Sequence, residues 1–173
     1  STSKGPGRSS VLFYPTRQAF EVLRSLVGED WDTREWEEVK AKLLKALEEG
    51  RGSDYKDLLD QILLRIPERK SPLLYTAELI TAVILTIYGI RERAEAQGIF
   101  RQLRKLGFPG EIGLNALAGL MLGLSLVEEA NRRLTSLLLS YAEKYQAYLA
   151  ELNAEGKRAL ADFAGEVMRI VGV

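Results

Sequence analysis

Three features of the 173-residue sequence predict an all-α fold, a helical bundle with an extended N-terminal arm. Apolar residues recur at three- and four-residue spacing through most of the chain. Caps, glycines and prolines punctuate it at intervals that suit helices, and alternating strand patterns are weak. No period of about 20 to 50 residues points to a solenoid. Residues 1–15 carry Gly5, Pro6, Gly7 and Pro15 and no acid, and read as a flexible arm whose end, Val11 to Tyr14, is apolar. Residues 16–173 read as a single α-helical domain.

A first helix is expected from about Thr16 to Val27. A second starts at the Asp32/Thr33 cap, carries Trp36, Val39, Leu43, Leu44 and Leu47 at helical spacing, and stops at Gly50. Ser53 is expected to cap a third, with Leu58, Leu59, Ile62, Leu63 and Ile66 inward and Pro67 closing it. Trp31 and Trp36 flank the start of the second helix and would anchor this acidic hairpin, about residues 29–66. Ser71 followed by Pro72 is a cap with proline in the first helical position. The helix after it is apolar nearly all round and should lie centrally. It kinks or breaks at Tyr88-Gly89, and a basic segment continues to Leu106, so the apolar-to-basic helices cover about 72–106. Gly107 to Gly110 form a turn. C-terminal helices cover about 111–171: Glu111 to Leu126, with Gly113, Ala116, Gly119 and Gly123 allowing close helix approach, then about Ser125 to Asn153 and about Ala154 to Val171.

Composition bounds the chemistry. The chain contains neither Cys nor His, which removes disulfides, thiolate sites, the commonest general base and the commonest metal ligand. No phosphate-loop, nucleophile-elbow or zinc-site motif is present. Glu37/Glu38, Glu48/Glu49 and Glu128/Glu129 are adjacent pairs, whose side chains point in different directions on a helix. No catalytic residues, metal or cofactor are therefore expected. Ser1 in first place fits an excised initiator methionine or processing, and the start lacks the apolar run of a signal peptide. Pro72 to Ile90 approaches membrane-spanning length, but Glu78 and three threonines within it favour a core helix. Gly113 to Val127 is a shorter apolar stretch, and contact with a lipid layer stays open.

Formal net charge is zero, from 24 basic and 24 acidic residues, but the charges fall in blocks. Residues 29–66 hold seven basic and eleven acidic residues, and residues 67–110 hold seven and four. One copy's acidic hairpin could thus meet a neighbour's basic surface. At roughly 100° per residue, Arg93, Arg104, Gln97, Arg101, Lys105 and Arg91 fall along one helical arc that holds no acid. Ile99, Phe100, Leu103 and Leu106 lie opposite. Such an arc can bind successive phosphates, with Ala94 and Gly98 letting a sugar-phosphate backbone come close. It can equally be a solvated face paired with acids. Lys4, Arg8 and Arg17 could wrap the same polyanion. Arg132 and Arg133 add a smaller basic point, with Leu134, Leu137 and Leu138 on the buried side. Tyr141, Tyr145 and Tyr148 form one stripe, either a helix-packing seam or a stacking surface. No base-reading motif is present.

With its N-terminal arm, helical body, apolar helix ending in Tyr88-Gly89-Ile90, basic helix and small-residue helix Gly113 to Gly123, the chain resembles the major coat proteins of filamentous and rod-shaped viruses of hyperthermophilic archaea. That resemblance implies a virion protein in which intertwined dimers, of one coat protein or two related ones, polymerise helically around double-stranded DNA held in A form, in some members inside a lipid envelope. It would place Arg91, Arg93, Gln97, Arg101, Arg104 and Lys105 against phosphates, with Lys4, Arg8 and Arg17 closing over the DNA. The neutral charge and acidic hairpin depart from that pattern and turn the hairpin outward or toward a neighbour. A helical scaffold or small subunit of a larger nucleic-acid-binding complex and a membrane-associated helical protein are the other expectations.

Overall fold

The computed structural model describes residues 17–90, 94–125 and 132–173. Two compact units divide between Glu37 and Glu38. Of the first, residues 17–37 are described, as the leading part of α1 (Arg17–Glu49). The second continues through α2 (Lys56–Arg65) with a 3-10 turn at Ile66–Glu68, α3 (Pro72–Gly89), α4 (Ala94–Lys105), α5 (Glu111–Asn115), α6 (Leu117–Ser125), α7 (Arg132–Glu151) and α8 (Ala154–Val171). The fold is all-α, with no strand among the described residues. The arm expected at residues 1–15 lies outside them.

The break expected between Val27 and Asp32 is absent, because α1 runs through Gly28 and the Asp32/Thr33 pair. A glycine inside a helix costs about 1 kcal/mol, and no proline intervenes to remove a backbone donor. Propagation therefore prevails over ending one helix and nucleating another. Trp36 is buried; the side chain of Trp31 is not among those described.

Ser53 does not cap α2. Its hydroxyl donates to the Gly50 carbonyl at 2.6 Å and accepts from the Tyr55 N–H at 3.1 Å, so it closes the turn. Asp54 Oδ1 instead accepts from the Lys56 N–H at 3.1 Å. Tyr55 adopts the left-handed conformation, φ 60°. Its ring packs where a Cβ on Gly50 would meet it, and its hydroxyl donates to the Leu47 carbonyl at 3.2 Å. Leu59, Ile62, Leu63 and Ile66 point inward as expected, Leu58 is half-buried, and Leu64 points outward. Pro67 lies inside the 3-10 turn rather than closing α2 directly.

The centre of the second unit is α3, packed by α2, α6, α7 and α8. Ser71 caps it, Oγ accepting from the Leu74 N–H at 3.4 Å, with Pro72 first in the helix. Every residue from Leu74 to Ile87 is buried. The threonine hydroxyls are satisfied within the helix: Thr81 donates to the Ala77 carbonyl at 2.9 Å, Thr86 to that of Ala82 at 2.7 Å and Thr76 to that of Pro72 at 2.7 Å. Glu78, wholly buried, accepts from Arg65 at Oε1 and from Arg69 at Oε2, each at 2.8 Å. A helix of this length and hydropathy could cross a membrane, but 78% of it is buried inside the fold.

The single helix expected from Glu111 to Leu126 is two, broken at Ala116. Beside the break, Tyr145 on α7 donates to the Leu114 carbonyl at 2.7 Å. A Cβ on Gly113 would overlap the Phe108 backbone, so close approach is required there. Gly119 and Gly123 have open space beside them, and the expected small-residue seam does not extend to them. The tyrosine stripe is a packing seam. Tyr145 is wholly buried, and Tyr141 and Tyr148 meet Tyr75 of α3 edge-on at 6.3 and 5.0 Å. Burial, reinforced by Tyr141 and Tyr148, pushes the Tyr75 phenol up to about 12. Leu138 is buried and Leu134 half-buried. Leu137, a third of a turn away, is 37% exposed, against the expectation. Asn153 Oδ1 caps α8 by accepting from the Gly156 N–H at 2.7 Å.

Candidate nucleic-acid interface

Helix α4 is held by one face. Phe100 and Leu103 are buried, whereas Gln97, Arg101, Gln102, Arg104 and Lys105 are exposed. Its C-terminal end closes in a Schellman motif: Gly107, at φ +85°, donates to the Arg104 carbonyl at 3.0 Å, and the Phe108 N–H donates to that of Leu103 at 2.9 Å. This turn fixes the end of the helix and buries Phe108. Leu106 lies beyond α4 in that turn. The helical extrapolation therefore fails for it, and it is 50% exposed rather than on the apolar face.

Gln97, Arg101 and Arg104 come together on one cleft of about 480 Å³. Phe100 forms part of its wall, Tyr88 from the end of α3 another, and Gly172 and Val173, just past α8, a third. Among the described residues, no Asp or Glu side chain lines this cleft. The Arg104 guanidinium stands 6.0 Å from the Phe100 ring centroid, so cation and ring share one side of the helix. Among the described residues, no ion pair joins Arg101, Arg104 or Lys105 to a carboxylate. Arg65 and Arg69, by contrast, are committed to Glu78. Convergent unpaired guanidinium groups on a concave surface attract anions, and each can bind phosphate oxygens through two parallel N–H bonds.

The other expected site residues are not gathered here. Lys105 is exposed on α4 but does not line the cleft. Arg133 is exposed on α7 and also lies off it. Arg17 and Arg132 lie in α1 and α7 as backbone positions whose side chains are not described. Arg91, Arg93, Lys4 and Arg8 fall outside the described residues. Helical spacing gives no sign that Tyr88, Phe100 and the chain after α8 share this cleft. Periodicity alone groups Phe100 with the apolar face, and spacing along one helix carries no information about which distant segments wall it in.

No protein-family model matches the chain, and comparison with curated proteins and with solved structures likewise finds no match.

Proposed function

We propose that this chain is a structural nucleoprotein, a viral coat subunit that polymerises and binds double-stranded DNA through phosphate contacts without reading sequence. The observation that carries the reading is the exposed trio Gln97, Arg101 and Arg104 brought together on one cleft, its arginines joined to no carboxylate among the described residues. Lys105 extends the strip along α4. Such a strip supplies affinity and leaves base edges unread. Leu64, 77% exposed on α2, supports the assembly half of the reading, since a large exposed apolar side chain gains from being covered by a neighbouring subunit.

The test is duplex binding by the full chain over a salt series. Each phosphate contact contributes about 0.9 to the slope of log affinity against log salt. Replacing both residues, Arg101→Glu and Arg104→Glu, is expected to abolish binding at moderate salt and leave the far-ultraviolet circular dichroism unchanged. The milder Arg101→Gln/Arg104→Gln pair is expected to lower the slope by about two. Unchanged affinity in the double Glu variant, or a strong preference among duplex sequences, would overturn the reading.

A further inference from the structure

We propose that the cleft beside α4 seats one unpaired nucleotide, with its phosphate on Arg101 and Arg104 and its base against the Tyr88 and Phe100 rings. This deepens the reading above and rests on it, because the same arginines serve both. A duplex backbone is convex and its bases are stacked away from the protein, so it can be held by exposed cations along a helix without any aromatic wall. The cleft offers more than cations. Two aromatic residues from different helices, Tyr88 of α3, held edge-on against Tyr55 at 5.4 Å, and Phe100 of α4, line it together with Gln97, whose amide both donates and accepts hydrogen bonds. Rings beside arginines are the pattern that holds unstacked bases, because every base has a π-face and the cation holds the adjoining phosphate.

Size and shape agree. At about 480 Å³ the cleft falls in the range of small-molecule sites, roughly 300–1,000 Å³. On the side past α8, Gly172 adds no side chain to the lining, and its φ of +87° disfavours one. Arg101 and Arg104 are exposed at the opening while Phe100 is buried, so charge lies outermost and the ring deepest. That order suits an anionic group at the mouth and a ring within. Free mononucleotides and unpaired positions in a strand share this chemistry.

The experiment titrates the full chain by calorimetry with adenosine 5′-monophosphate, inorganic phosphate, adenosine, a single-stranded oligonucleotide and its duplex. The monophosphate is expected to bind at least tenfold tighter than either phosphate or adenosine. Phe100→Leu, which keeps an apolar side chain at a buried position, is expected to weaken the monophosphate and the single strand about tenfold with duplex affinity unchanged. Tyr88→Leu, at a half-buried position, provides a second ring deletion should the first lower helix content. Equal binding of phosphate and monophosphate would overturn the proposal, as would ring deletions that weaken duplex and single strand alike. Duplex binding without monophosphate selectivity overturns the nucleotide seat and leaves the coat reading standing. The reverse result supports the seat and sinks the coat reading.

Discussion

Glu78 carries a carboxylate into the most enclosed part of the second unit, at 0% exposure, where it meets the guanidinium groups of Arg65 and Arg69. The two sides of this cluster are unequal, because the side chains of Arg65 and Arg69 are 40% and 24% exposed. Removing the carboxylate leaves two cations that can turn toward water. Removing the cations leaves an acid that cannot. Glu78→Met, similar in volume and apolar, is expected to cost about 1 kcal/mol or less. The pair Arg65→Met and Arg69→Met is expected to cost about 3–5 kcal/mol, the range for stranding one member of a buried pair. Urea unfolding monitored by circular dichroism measures both, and equal costs would count against this asymmetry. The sequence showed Glu78 as an interruption in an apolar run, but its partners were not legible. Arg65 lies thirteen residues away, across the turn at Pro67, and the contact depends on how α2 folds back on α3.

Elements with a chemical start and stop were legible, and those depending on neighbours were not. Ser71-Pro72 and Gly107 to Gly110 are set by local backbone chemistry, and the structure uses both as boundaries. The break at Ala116 lies where α7 makes a distant contact, Tyr145 on the Leu114 carbonyl, and the continuity of α1 depends on the lack of any feature strong enough to stop it. Glycines separate the two cases in a way experiment can follow. Gly98 sits inside α4 with nothing within 4 Å of where a Cβ would be, and Gly113 abuts the Phe108 backbone. Gly98→Ala is therefore expected to stabilise the protein by about 0.5–1 kcal/mol, through helix propensity and a less flexible unfolded chain. Gly113→Ala must shift the turn or α5, and is expected to cost about 1–3 kcal/mol. Thermal unfolding of the two variants should move in opposite directions. A shared direction would mean that the turn adapts freely or that α4 is held by something other than its own helix.

For the whole molecule, zero net charge conceals segregation that matters once copies meet. The basic side of α4 was legible because helical periodicity sorts residues within one element. Its cleft was not, because Tyr88, Gly172 and Val173 arrive from other parts of the fold. Helix α2 and the turn after it carry exposed Asp57, Asp60 and Glu68 as well as an exposed Leu64, and the turn after α4 shows an exposed Leu106 next to Lys105. The two segments thus each expose charge beside an apolar residue, acids in the first and a lysine in the second. Contact between unlike segments on successive copies is heterologous, and repeats into an open polymer when its rotation does not close. Attraction between exposed charges is screened over about 10 Å at 0.1 M salt and about 3 Å at 1 M. The chain is therefore expected to associate at low ionic strength and disperse as salt rises, as followed by light scattering. Leu64→Glu removes the exposed apolar side chain of the acidic segment without touching a buried residue, and should weaken association while leaving monomer stability within about 0.5 kcal/mol. Duplex DNA should compete with association if α4 serves both partners, and should promote it if a polymer forms around the duplex. Association that grows with salt, and survives Leu64→Glu unchanged, would show instead that apolar surface elsewhere drives it, because hydrophobic contacts are not screened by ions.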